Sequence, residues 1–462
     1  MASPGSIPNP AKPAGKRVAV IGGGWAGCAA AVELAGAGCQ VTLFEAARSL
    51  GGRARGVELH GSMLDNGQHI LLGAYGDTLR LLRKVGIDPD SALLHLPLQM
   101  RYPAGSGGMD FVAPLLPLPA PLHLAVALLR AKGLAVADKM ALARFSTTAR
   151  WMGWHLHVDC SVSELLERFD QTERLVRLMW RPLCLAALNT PPERASAKVF
   201  LAVLRDSLGA ARAASDMLLP RLDLHALFPH AAAGFIEQHG GSVHRGAKVG
   251  ALAQANGQWR VDASGNAVGG NSTGLFDAVV LAVPPPAAAT LLESLPLEDI
   301  RQQLGAFDYE PITTCYLQYD AGVRLDLAFY ALLDEPASAH WGQFVFDRGQ
   351  LDERQRGLLS VVVSASAEAA ALDQAALAGA IAAQLANVFG RAEFANPSWT
   401  QVITEKRATF SCTPGLRRLP AATGLDGLVL AGDYIQSDYP ATLETAIRSG
   451  AAAAQAISKP SV

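Results

Sequence analysis

Residues 16–45 carry the clearest pattern of apolar and polar positions in the chain. Val18-Ala19-Val20-Ile21 is a continuous apolar run, as expected of a central parallel strand buried on both faces. Gly22-Gly23-Gly24-Trp25-Ala26-Gly27 follows at once, and residues 26–37 are nearly all Ala, Cys, Val and Leu. That composition predicts a helix able to lie flat on a sheet. Gly38 ends it, residues 40–44 form a second strand, and Glu45 closes that strand.

Further along, 57–59 and 62–64 read as short paired strands around His60-Gly61. A helix is predicted over 75–86, with Leu79, Leu82 and Val85 on one face. Ser161-Val162-Ser163-Glu164 is a capping box opening another helix, Trp180-Arg181-Pro182-Leu183 breaks the helical run, and 196–208 resumes it. Residues 81–225 therefore read as mainly helical, with the composition of a lid or wall. Residues 243–261 alternate as short strands, and 276–283 is again a buried parallel-type strand, stopped by Pro284-Pro285-Pro286. Residues 311–319 and 358–364 predict a second sheet beside an alanine-rich helix at 372–385. Residues 428–431 form a last strand, ended by Gly432-Asp433, before a helix at 440–457.

The glycine turn satisfies G-x-G-x-x-G through Gly22, Gly24 and Gly27. They make the tight turn, admit a pyrophosphate to the backbone, and let the helix pack closely on the sheet. Free N–H groups and the positive dipole end of the helix face the phosphates. Glu45 lies near the ~20-residue interval expected of an acid that binds ribose hydroxyls. A glycine turn alone is a packing device; strand, turn, helix, strand and acid in this order predict a dinucleotide site. Gly51-Gly52-Arg53 lets the chain turn back so that Arg53 reaches a phosphate, against the alternative of a solvated arginine on a surface turn. Asp65-Asn66-Gly67-Gln68-His69 is polar and glycine-centred, suited to setting backbone amides beside a flat ring. His69 alone is more often a structural histidine than a catalyst.

At 462 residues the chain exceeds one core, so two connected domains are expected. A formal charge of −2 gives no electrostatic case for nucleic acid. Hydrophobic content of 50% predicts a large apolar cavity or contact with lipid. Six scattered cysteines form no metal-like cluster, and reduced thiols predict a cytoplasmic protein. No metal is expected. Residues 1–15 read as a disordered leader. The most apolar stretch, 113–129, is too short and too kinked by prolines to span a bilayer. With Arg130, Lys132 and Lys139 after it, it fits two readings: a helix lying at the inner face of a membrane, or one capping an apolar cavity.

Residues 16–45, Gly51-Gly52-Arg53, 65–69 and 432–450 together resemble the amine oxidase / phytoene desaturase superfamily of FAD proteins. Glu405-Lys406-Arg407-Ala408-Thr409-Phe410, Pro414-Gly415, Ala431-Gly432-Asp433-Tyr434 and Tyr439-Pro440-Ala441-Thr442-Leu443-Glu444 resemble its squalene-associated desaturase-like branch. These are the hydroxysqualene dehydroxylases of bacterial hopanoid pathways. Ser215-Asp216-Met217-Leu218-Leu219-Pro220 is similar to the same branch. The resemblance implies an α/β fold, a Rossmann-like FAD-binding domain (16–80, 226–300, 400–462) interleaved with an α+β substrate domain (81–225, 301–399). It implies FAD contacts from Gly22, Gly24, Trp25, Ala26, Gly27, Glu45, Ala46, Gly52, Arg53, Asn66, Gly67 and Gln68. Val249 would meet the adenine end, Gly432 and Asp433 the ribityl-phosphate region, and Thr442 and Leu443 the pyrimidine edge. One departure stands out: where amine oxidases carry a lysine on the second sheet, the loose match is Thr313 or Thr314.

The function implied is reductive removal of the allylic hydroxyl of hydroxysqualene, a long-chain isoprenoid. Arg407, Thr409 and Tyr439 are the candidates near the flavin to assist departure of oxygen, with His69 and Asp65 behind them. An isoprenoid desaturase has the same fold with electron flow reversed. A flavin-free prenyl-lipid carrier is the third reading, opposed by the intact glycines, Glu45 and Gly432-Asp433. No second nucleotide fingerprint is present, so the electron donor is unidentified: a transiently bound reductant or another protein.

Overall fold

The computed structural model describes residues 15–114, 122–210, 212–265 and 268–459. The leader expected at 1–15 lies outside them apart from Gly15, as does 115–121 of the apolar stretch.

A five-stranded parallel sheet takes its strands from distant parts of the chain, in the order Ser242–Arg245, Gln40–Glu45, Arg17–Ile21, Ala278–Leu281, Leu428–Leu430. The central strand is the predicted apolar run, and Val18, Ala19 and Val20 are fully buried. The helix after it, Trp25–Gly36, is buried on nearly every side. A Cβ on Gly27 would lie 1.8 Å from the Gly22 carbonyl oxygen, so only glycine permits this approach. Across the same helix packs the last one, Leu443–Ser458, where a Cβ on Gly450 would lie 2.1 Å from the Ala26 carbonyl oxygen. The first and last described helices therefore form one layer. A three-stranded antiparallel ribbon (Lys248–Ala255, Gln258–Gly265, Gly270–Phe276) leads back into the parallel sheet.

The second sheet is antiparallel, ordered Phe329–Ala331, Phe344–Asp347, Leu358–Ser364, Tyr309–Gln318, Trp399–Phe410. Alternation gives it two faces. Cys315 and Leu317 pack with the helix Gln374–Phe389, while Phe329, Phe344, Phe346 and Val362 face a second apolar cluster that reaches the helical region.

The helical reading of 81–225 needs two corrections. It also contributes strands: Leu93–Leu96 pairs with Met217–Pro220, whose other neighbour is Leu71–Leu72 from the preceding region, and Gln99–Arg101 pairs with Asp110–Val112. The predicted break at Pro182 is absent as well. A π-turn at Val176–Trp180 passes directly into the helix Arg181–Leu188. Proline sits there directly after the wider turn, where the helix changes its hydrogen-bond spacing. The capping box at Ser161 and Glu164 is present.

Candidate functional site

The glycine turn, the Gly51-Gly52 turn and the Gly432-Asp433 turn meet at the carboxyl ends of the parallel strands, where open α/β sheets bind ligands. Gly51 donates its N–H to the Gly23 carbonyl at 2.8 Å. The Arg53 guanidinium donates to Asp433 Oδ1 at 2.6 Å and to the Ala408 carbonyl at 2.9 Å. Asp433 is buried, and the Gly432 N–H is held by Ser449 Oγ at 2.8 Å. Positions 380 residues apart are thus joined by one ion pair. Arg53, expected to contact a phosphate, joins the first turn to the last within the chain and keeps a third of its side chain exposed.

Three features fit a dinucleotide. The helix at Trp25 has no side-chain cap, which leaves its first N–H groups for an anion. A Cβ on Gly24 would meet nothing nearer than Gly52 Cα at 4.0 Å, so the backbone is open to a close ligand. Glu45 closes its strand with each carboxylate oxygen accepting one backbone N–H, from Gly23 and from Ala47, both at 2.7 Å. That fixes the acid at the turn and leaves lone pairs for ribose hydroxyls. Ala46 is exposed beside it and Ala26 is buried in the helix's first turn. Trp25 offers only backbone here, since its indole donates to the Ala54 carbonyl and packs against Phe228. Val249 is buried on the ribbon strand, at a register shift beside Glu45's neighbours.

At the other end Thr442 caps the last helix, accepting the Thr445 N–H at 3.1 Å, and Leu443 opens it half-buried. The 65–69 loop is pinned by its side chains. Asn66 bonds the backbone of Arg53 and Arg55, and Gln68 accepts from Arg348 at 2.8 Å. Asp65 accepts the Leu224 N–H at 2.8 Å and lies 4.0 Å from Arg348; burial pushes its carboxyl up to about 6. Tyr316 of the second sheet donates to the Asp65 carbonyl at 2.8 Å. His69 Nδ1 bonds the Gly67 carbonyl, and burial holds the imidazole below its ordinary value. What remains open is the backbone at Gly67, where an added Cβ would meet only the His69 ring, at 3.8 Å.

The candidates for chemistry separate. Thr409 is buried and accepts from Asn189 at 3.0 Å; Asn189 also binds the Glu310 carbonyl and the Ala365 N–H, tying the helical region to the second sheet. Tyr439 donates its hydroxyl to Asp206 and accepts from Arg205, with Arg448 over its ring. Arg407 is exposed, on an excursion of its strand opposite Pro311, with its guanidinium 5.8 Å from the Tyr309 ring centre. Thr313 bonds Thr404 and Ser366.

Three buried hydroxyls have no hydrogen-bond partner within the described residues: Thr314, one of the two matches to the amine oxidase lysine, and Tyr309 and Tyr434, to which sequence reasoning gave no role. Tyr434 follows Asp433 directly, and its ring meets Phe307 edge-on. Burial, then the Asp433 charge, hold its phenol far above the ordinary range, so it stays protonated. Tyr309 is pushed up chiefly by burial, with Arg53 opposing. Thr314 stands in register with Val362 and, beyond it, Phe344, on the sheet face away from Cys315. Their signal is weak because each looks like one more core residue. Glu444 was also missed as a support: its carboxylate receives the N–H groups of Asp77 and Thr78, at the start of the helix Gly76–Lys84.

A parallel sheet with an uncapped first helix, an acid on the second strand and a final helix closing over the turn defines an FAD-dependent oxidoreductase. The chain belongs to the flavin-containing amine oxidoreductase family, whose model matches residues 25–458. It is similar to a hydroxysqualene dehydroxylase of Rhodopseudomonas palustris, at 31% identity over 96% of this chain and 98% of the relative. It is also similar to a zeta-carotene desaturase of Synechocystis, at 27% identity over 96% and 97%. An oxidoreductase structure from Methanosarcina mazei shares the fold, with a TM-score of 0.71 at 15% identity over 95% of this chain and all of that one. The cofactor is FAD.

Proposed function

We propose that this protein reduces hydroxysqualene to squalene. The observation that carries the reading is the similarity, end to end, to hydroxysqualene dehydroxylases at up to 31% identity. In this reading 16–80, 226–300 and 400–462 hold FAD and 81–225 with 301–399 hold the substrate. Reduced FAD, when bound, would supply the hydride that replaces the allylic oxygen, and a proton delivered by the chain would let that oxygen leave as water.

The chain's own contribution is to bind, orient and protonate. The cofactor is gripped by the glycine turn, Glu45, Arg53, the Gly67 backbone, Asp433 and the Thr442 end of the last helix. A C30 chain would have to part the apolar cluster that Phe329, Phe344 and Phe346 share with the helical region, which would keep water from the reacting carbon. The donor we assign is Tyr434, with Tyr309 behind it, because each hydroxyl oxygen is buried and has no hydrogen-bond partner among the described residues. Thr409 and Tyr439 are kept as supports, their hydroxyls engaged elsewhere.

The test is anaerobic. Enzyme reduced with dithionite and mixed with hydroxysqualene is expected to regain oxidised-flavin absorbance as squalene forms one-to-one. Persistent reduced flavin with no squalene sinks the reading. The similarity to zeta-carotene desaturases supports a second reading, an isoprenoid desaturase. Oxidised enzyme would then add conjugated double bonds to a carotene precursor, seen as a red-shifted absorbance.

A further inference from the structure

Nine large hydrophobic side chains of the described residues are exposed, and six of them fall between 122 and 158: Leu122, Leu129, Val136, Met140, Trp151 and Val158. Such clustering is the unusual observation, since single exposed apolar residues need no explanation. Leu122 and Leu129 share one stripe of the helix Leu122–Arg130. Val136, Met140 and Trp151 share the outer stripe of Val136–Trp151 with Arg144 and Thr147. The two helices pack together, and Lys139 Nζ donates to the Leu129 carbonyl at 2.9 Å, which holds their outer stripes side by side. Leu129 and Val136 are each 76% exposed and Trp151 is 87% exposed.

Charge decides what covers this surface. From 113 to 158 the sequence has Arg130, Lys132, Lys139, Arg144 and Arg150 against one acid, Asp138. Asp138 is buried and spent on the Ala135 N–H and the Thr172 hydroxyl. Every exposed Lys, Arg, Asp or Glu on this stretch is therefore positive, on a chain whose total is −2. At its edge the neighbouring turn adds one exposed acid, Glu173, and Arg174, whose guanidinium donates to the Gly133 and Gly107 carbonyls. Beneath the helices, Ala127, Ala141 and Phe145 belong to the same apolar cluster as Phe344, Phe346 and Tyr434. Among the described residues no helix is long and apolar enough to cross a membrane.

We infer that the outer face of these two helices seats on an anionic lipid surface, its apolar stripes in the acyl boundary and its Arg and Lys at the headgroups. That a water-insoluble substrate reaches the site from the bilayer through this face rests on the isoprenoid reading; the docking itself does not. A partner protein would be expected to bring acids, and a second copy would set the same positive charges against each other.

The test is flotation of the FAD-loaded protein with vesicles of pure phosphatidylcholine and with vesicles containing ~30% phosphatidylglycerol. Binding to the anionic vesicles is expected, weakened severalfold by added salt. Leu129→Glu/Met140→Glu is expected to bind at least ~10-fold more weakly, with flavin content and turnover of detergent-dispersed substrate unchanged. The inference is overturned if wild type ignores anionic vesicles, if the variant binds like wild type, or if the same substitutions instead abolish a concentration-dependent dimer. Vesicle binding without turnover on any isoprenoid overturns the proposed function and leaves the docking surface standing.

Discussion

The cofactor end and the substrate end of this molecule are built by different means. Around the glycine turn the working parts are backbone: N–H groups at a helix start, carbonyl-tight packing at Gly27 and Gly450, and one acid fixed by two backbone bonds. At the substrate end the working parts are side chains: Thr314, Val362 and Phe344 in register across the second sheet, with the Tyr309 hydroxyl from the same sheet and the Tyr434 hydroxyl from the turn after the last parallel strand. Backbone devices demand particular small residues at fixed intervals. Side-chain devices demand only that something of the right chemistry arrives.

The sharpest way to break this contrast is to put a side chain where backbone does the work. Gly27→Val must move the Gly22 turn, and it is expected to yield colourless protein that has lost more than ~3 kcal/mol of stability, read as flavin absorbance and Tm. Colour retained at wild-type Tm would contradict the packing described here. On the opposite side, Tyr434→Phe is expected to keep its flavin and lower kcat by ~10²-fold, with Tyr309→Phe the smaller effect. An unchanged kcat for both removes them as donors.

The Asp65 carboxyl gives a pH signature. Its value is about 6 in the fold against an ordinary 3.8, so the folded state holds the proton more tightly and stability falls as pH rises between these values. Asp65→Asn, which keeps an acceptor for the Leu224 N–H, is expected to gain on the order of 2 kcal/mol relative to wild type between pH 4 and pH 7. Urea midpoints at the two pH values measure it. Smallest is Thr409→Val, which leaves Asn189 short of one acceptor: a loss of ~1 kcal/mol with kcat unchanged. A large drop in kcat would return Thr409 to the chemistry.

The same contrast explains what the sequence discloses. The strand at Arg17–Ile21, the helix after it, the strand ending at Glu45 and the last strand and helix were legible, because their signals are local and periodic. The paired strands of the second sheet were legible as strands. Their use was not: nothing local says that Thr409 meets Asn189, that Tyr439 meets Asp206, or that Gln68 meets Arg348. Pro182 was misread as a break because its place in the helix depends on the π-turn before it.

The contact between Gly450 and Ala26 also sets an order on synthesis. The wall facing the first turn is made roughly 400 residues after it, or ~20–80 s later at ~5–20 residues per second. Until then the nascent chain displays an alanine-rich helix with no roof over it. The flavin site therefore stays incomplete while most of the chain between its two halves is being made.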